Sequence, residues 1–135
     1  GLVEALLTAA PHTRWLRDPT RGGVGTVCNE LARDAAVAVV LDESTLPVTP
    51  AVVGACDLLG IDPLYVANEG KLVAVVAPDE ADRAVKALRA QPGGQTATVI
   101  GEIAAEPEGI VVLRTTFGGT RIVDMLVGDP LPRIC

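Results

Sequence analysis

The stretch GVGTVCNELARDAAVAVVL, Gly23–Leu41, sets two periodicities back to back. In its first half Val24, Val27, Cys28 and Leu31 recur at i, i+3, i+4 and i+7, with Glu30, Arg33 and Asp34 on the other side. That spacing predicts a helix with one apolar and one charged face. In its second half Ala36–Leu41 is β-branched and almost wholly apolar, the composition of a strand covered on both faces. A helix running straight into a buried strand predicts helices laid on a sheet. Asp18 or Thr20 is placed to cap the helix start.

The same alternation extends in both directions. Leu2–Ala10 predicts a short helix, and PHTRWLRDPTRGG (Pro11–Gly23) is too rich in turn formers for a strand interior. Ala51–Leu59 repeats the helical stripe through Val52, Ala55, Cys56 and Leu59, and Gly60 ends it. Lys71–Ala77 reads as a second buried strand. After Asp79 a helix turns Ala81, Ala84, Val85 and Leu88 inward and Glu80, Asp82, Arg83, Lys86 and Arg89 outward. Thr96–Ala104, Gly109–Thr116 and Arg121–Met125 read as further strands, with Gly118-Gly119 turning the second into the third. The expected class is α+β, an α/β sandwich in which a mixed sheet packs with helices over a domain spanning 1–125. Residues 126–135, with Gly128, Pro130 and Pro132, read as an extended, mobile tail.

Hydrophobic residues make up 49% of the 135 and aromatic ones only 2%, so the core is expected to be aliphatic. A formal net charge of −6 argues against nucleic acid or an anionic membrane surface as partner, since both call for a basic face. No apolar run approaches the roughly 18 residues of a membrane span, and no signal peptide is visible. Three cysteines without close spacing fit a reducing cytosol, which makes the expected location cytoplasmic. The chain opens inside a predicted helix without an initiator Met and reads as cut from something longer.

Several short stretches carry possible chemistry. DPTRGG (Asp18–Gly23) enters the helix through two glycines, where backbone can approach an anion and a helix N-terminus offers N–H donors, with Arg21 as a bidentate partner for phosphate. Its ordinary reading is a capped tight turn, and the Walker A spacing is absent. NEGK (Asn68–Lys71) gathers an amide, a carboxylate and an ammonium before a strand; taken alone it is a solvated turn. A partly dry cleft around Glu69 would raise its pKa toward general-base work. His12, the single histidine, reads as a solvated loop residue, and no zinc or other metal site can be assembled. Cys28 and Cys56 fall on apolar helix stripes and read as core. Cys135 is the last residue, and its own terminal carboxylate tends to raise the thiol pKa.

Together RDPTRGGV (Arg17–Val24), DPLYVANEGKL (Asp62–Leu72) and the terminal PRIC (Pro132–Cys135) resemble the C-terminal domain of the HypE family of hydrogenase maturation factors. That family belongs to the superfamily of ATP-dependent synthetases that includes aminoimidazole ribonucleotide synthetase and selenophosphate synthetase. The resemblance covers nearly the whole chain, and PRIC is its most specific element.

The resemblance implies a carbamoyl dehydratase. The Cys135 thiol would receive a carbamoyl group from the carbamoyltransferase HypF, and ATP would drive its dehydration to a thiocyanate. The cyano group would pass to iron on a HypC–HypD scaffold, toward the nickel–iron hydrogenase cofactor. It further implies Glu69 as the proton acceptor and Asn68 and Lys71 as orienting groups. Asp18, Arg21, Gly22 and Gly23 would lie near phosphate, and Arg133 and Ile134 would dock the tail. ATP with Mg2+ would be bound mainly by an N-terminal domain absent from this chain, and the full-length protein would be a homodimer. Two other readings stay open: a synthetase domain acting on a diffusible substrate, for which Cys135 is dispensable, and a docking module that forms no covalent adduct.

Overall fold

The computed structural model describes residues 1–127. Its helices are α1 (Leu2–Ala9), α2 (Gly23–Ala35), α3 (Pro50–Leu59) and α4 (Ala81–Arg89). Its strands are β1 (Trp15–Arg17), β2 (Ala38–Asp42), β3 (Val73–Val75), β4 (Gly101–Ala104), β5 (Val111–Arg114) and β6 (Thr120–Ile122). The described chain forms two compact units, each from separate stretches of sequence: residues 1–17 with 72–99, and residues 18–71 with 100–127. Mixed sheet and helices make the class α+β, as expected.

In the second of these units the strands run in the order β4-β2-β5-β6. β2 is antiparallel to β4, with Val39 opposite Ile103, and parallel to β5, with Val39 opposite Val111. Because β2 is flanked on both edges, its apolar run is what the central position requires. The core gathers Cys28 and Ala32 of α2 with Val39, Leu41, Val111, Leu113 and Val123, so α2 lies across the sheet as the Gly23–Leu41 stretch predicts. The strand begins at Ala38 rather than Ala36, since Ala36 closes α2 in a left-handed conformation (φ 51°) and its N–H bonds back to Ala32 and Arg33 carbonyls.

The other unit packs α1 on α4 through Leu6, Ala10 and Ala84, with Leu16, Leu72, Ala74, Val76 and Leu88 against them. Here two expectations fail. Trp15–Arg17, placed in a turn-rich stretch, is a strand, because β3 pairs with it antiparallel with Trp15 opposite Val75. Glu80, placed outward, is fully buried. Its Oε1 accepts from His12 Nδ1 at 2.7 Å and Arg83 Nη2 at 2.8 Å, and its Oε2 accepts from the His12 backbone N–H at 3.1 Å. His12 is thus paired, although its ring remains largely exposed.

Burial pushes the Glu80 carboxyl up, but the His12 side-chain and backbone hydrogen bonds, with the charges of His12 and Arg83, more than offset this, and the net shift is downward. A depressed folded-state pKa gives stability that is present above the ordinary glutamate value and lost as pH falls through the folded value. Glu80→Gln is therefore expected to lower the urea midpoint at neutral pH. The difference from wild type should shrink as pH drops below roughly 4.3. Stepped-pH urea titrations check this, and a difference constant down to acid pH would count against it.

Two further segments depart from expectation. Of the strand expected over Thr96–Ala104 only Gly101–Ala104 pairs; Ala97 instead bonds back to Gly94, and its carbonyl accepts from Arg89 Nε. On α3 only Cys56 is buried. Val52 and Leu59, expected inward, are 41% and 69% exposed, because no described element covers that side of the helix.

Candidate functional site

The two chemistry-bearing stretches meet at the start of α2. Gly22 caps the helix and, like Gly23, adopts a left-handed conformation, with φ of 67° and 66°. Among the described residues no side chain caps α2: Thr20 Oγ1 donates instead to Asp18 Oδ2 at 2.7 Å, so neither expected cap is used. With no cap, the first-turn N–H groups keep the donor capacity that one would take, at the end of the helix where the dipole favours an anion. Arg21 is exposed beside them.

The glycines also answer a packing need. A Cβ on Gly23 would stand 2.4 Å from the Leu64 carbonyl oxygen and 2.6 Å from that of Val66, while one on Gly25 would stand 2.9 Å from the Tyr65 ring. The helix start therefore rests directly on the turn Pro63–Tyr65, which Asp62 caps through a bond from the Leu64 N–H to Asp62 Oδ1 at 2.9 Å. Gly25, a poor helix former at that position, is explained by the tyrosine ring. The loop then returns: the Asn68 N–H donates to the Pro19 carbonyl at 3.0 Å and Asn68 Nδ2 to the Val66 carbonyl at 3.3 Å. That bond joins DPTRGG to NEGK. Glu69 and Lys71 stand exposed at the same end, so the partly dry cleft considered for Glu69 is not formed by the described residues of this chain.

Four residues without a predicted role hold the chain that leaves this platform. Asn29, 4% exposed, donates through Nδ2 to the Gly25 and Val123 carbonyls, both at 2.8 Å. The Tyr65 hydroxyl donates to the Asp124 carbonyl at 2.7 Å, and Arg121 Nη2 meets Asp62 Oδ2 at 2.6 Å. One signal was available: the chain's single tyrosine lies inside DPLYVANEGKL. Cys135, Arg133 and Ile134 lie outside the described residues. Among the described residues no group of three or more His, Cys, Asp or Glu is arranged to hold a metal ion.

Residues 2–114 match the family model described as AIR synthase related protein, C-terminal domain. The chain belongs to that family. It is 52% identical over 135 residues to the carbamoyl dehydratase HypE of Azotobacter vinelandii, covering 100% of this chain and 40% of that relative. A crystal structure of hydrogenase maturation protein HypE superposes with a TM-score of 0.93 at 41% identity, over 99% of this chain and 44% of the other. A HypE structure in complex with ATP gives a TM-score of 0.89 at 38% identity, over 96% and 40%. A HypE–HypF complex gives 0.87 at 41%, over 92% and 40%. The chain thus spans about two fifths of the relatives' length.

Proposed function

We propose that this chain is the C-terminal part of a HypE-type carbamoyl dehydratase whose own Cys135 carries the substrate. The observation behind this reading is the Asn68–Pro19 bond. It sets the uncapped start of α2 beside NEGK in a chain that also ends in PRIC. The naming of the relatives as carbamoyl dehydratases, and the solved complexes of HypE with ATP and with HypF, support it.

The chemistry requires an oxygen to leave and two N–H protons to be removed when the S-carboxamide becomes a thiocyanate. ATP, when bound, supplies the phosphoryl group that converts the amide oxygen into a phosphate leaving group. The residues present fit phosphate, since α2 lacks a cap and Arg21 stands beside its N-terminus. They do not supply a Mg2+ site among the described residues, and no step is drawn through the ion. Gly22 and Gly23 amides with Arg21 would stabilise phosphate charge as it develops, and Asp18 would hold the entry turn through its bond with Thr20. Glu69 would accept an amide proton, with Asn68 and Lys71 orienting the carboxamide and balancing charge. Because Glu69 is exposed here, the docked tail and the remaining part of the protein would have to close over it to keep water from the reacting amide.

Arg133 and Ile134 would dock the tail. The ten residues 126–135 reach at most ~33–36 Å, enough for one thiol to visit a home site and a partner's site. The remaining part of the protein would carry most of the ATP and Mg2+ contacts and the homodimer interface. HypF would load the thiol and a HypC–HypD scaffold would receive the cyano group, all in the cytoplasm. No helix among the described residues is long and apolar enough to cross a membrane.

The test uses the full-length protein with HypF, carbamoyl phosphate and ATP, followed by intact mass spectrometry. Cys135 is expected to gain a carbamoyl group and then lose water, and an unmodified thiol would sink the reading. The isolated 135-residue chain is expected to accept the carbamoyl group at most and to form no thiocyanate with ATP. Sustained thiocyanate formation by it would overturn the assignment of ATP binding to the remaining part.

A further inference from the structure

We propose that Tyr65, with Asn29 and the Asp62–Arg121 pair, forms a clamp that fixes where the Cys135-bearing segment leaves the domain. Tyr65 is then a positioning residue for the carrier thiol; this rests on the carrier reading above.

Of the four residues 121–124, three are held by this set. Arg121 pairs with Asp62, the Val123 carbonyl accepts from Asn29, and the Asp124 carbonyl accepts from Tyr65. Val123 is also buried and its N–H donates to the Val111 carbonyl at 2.9 Å, while Ile122 is held by pairing with Val112 across β6 and β5. Among the described residues the side-chain anchoring ends at Asp124, and Val127 is fully exposed.

The origin of the anchors gives the clamp its meaning. Tyr65 lies with its ring against Gly25 of α2 and its hydroxyl on Asp124. Asn29 bonds the carbonyl of that same Gly25 while holding Val123. The segment's point of departure is therefore referenced to the first turn of α2, the place where the proposed phosphate site begins. Asp62 adds to this by capping the turn that carries Tyr65 and by pairing with Arg121. Cys135 lies eleven positions beyond Asp124, a span of at most ~36–40 Å. With a tether that short, the origin and direction of the arm decide how often the thiol meets its own site. A separate partner that docks on the protein can shift its own placement to meet the thiol, so its reaction is less sensitive to the origin.

The clamp is therefore expected to matter more for the step within the protein than for the step between proteins. In full-length protein with HypF, carbamoyl phosphate and ATP, Tyr65→Phe keeps the ring against Gly25 and removes only the bond to Asp124. Carbamoylation of Cys135 should stay within about twofold of wild type. The ATP-dependent loss of water should slow about fivefold, the population effect of one neutral hydrogen bond. Inserting Gly-Ser-Gly-Ser between Val127 and Gly128 gives the arm slack, and in that background Tyr65→Phe should slow dehydration by less than about twofold. Equal slowing of both steps would reveal general damage and overturn the proposal, as would dehydration at the wild-type rate in Tyr65→Phe. An undiminished Tyr65→Phe effect in the lengthened arm would also overturn it. A wild type that never acquires the adduct removes the carrier reading and the clamp with it.

Discussion

Replacing Gly23 by alanine is expected to destabilise the unit containing α2 by about 3 kcal/mol or more, a large share of a domain's total stability. Two costs combine. A residue with a side chain held at φ 66° pays roughly 1–2 kcal/mol for the left-handed conformation alone. The new Cβ then meets three backbone atoms, the Leu64 and Val66 oxygens and the Tyr65 carbonyl carbon, all within 2.9 Å, and backbone cannot rotate away as a side chain can. Its neighbours provide internal controls. Gly22 has the same handedness, and a Cβ there meets the Thr26 side chain, whose Oγ1 can turn aside but whose Cβ, 2.8 Å away, moves only with the backbone, so Gly22→Ala should cost about 2 kcal/mol. Gly25 is helical, so alanine recovers roughly 1 kcal/mol of helix propensity, but its Cβ would stand 2.9 Å from the held Tyr65 ring and 3.2 Å from the Leu64 carbonyl oxygen, and Gly25→Ala should still cost about 1 kcal/mol. Urea midpoints should place Gly23→Ala lowest of the three. A Gly23→Ala protein within about 1 kcal/mol of wild type would show that α2 does not need its close seat on the turn.

That ranking also shows what sequence reading can reach. Local periodicity located α2 and β2 because both patterns are written within a dozen residues. It located α4 as well, yet misplaced Glu80, whose partner His12 lies 68 residues away and leaves no local trace. Trp15–Arg17 escapes sequence reading for the same reason, since β3, the strand it pairs with, comes about 58 residues later in the sequence. On α3 the stripe was real, but a stripe states only that something apolar is needed opposite, not that the chain in hand supplies it. At the site, DPTRGG and NEGK were legible as motifs. The glycines were read there as room for a ligand, whereas Gly23 and Gly25 also make room for residues 64–66. Tyr65 and Asn29 stayed invisible because their role consists of bonds to carbonyls about 60 and 94 residues away.

The thiol that the proposed function requires should stand apart from its two companions by orders of magnitude. Cys28 is 2% exposed, and burial pushes its thiol up to about 12. Against the ordinary thiol value of 9.0, that difference leaves roughly a thousand times less thiolate at about pH 7, before any account is taken of access. Cys56 is also buried, at 4% exposure. Folded protein treated with a small alkylating reagent is therefore expected to take up one equivalent, at Cys135, and three only after unfolding. Labelling at Cys135 requires the thiolate, so it should accelerate as pH rises above neutral. Cys135→Ser should reduce the folded-state uptake from one equivalent to none. It should also abolish carbamoyl transfer, because a hydroxyl forms negligible alkoxide at this pH and cannot replace the thiolate. Cys28→Ala and Cys56→Ala, provided they fold, should leave transfer unchanged. If transfer persisted in Cys135→Ser, the substrate would have to be carried elsewhere, and a diffusible one would become the better account of this family member.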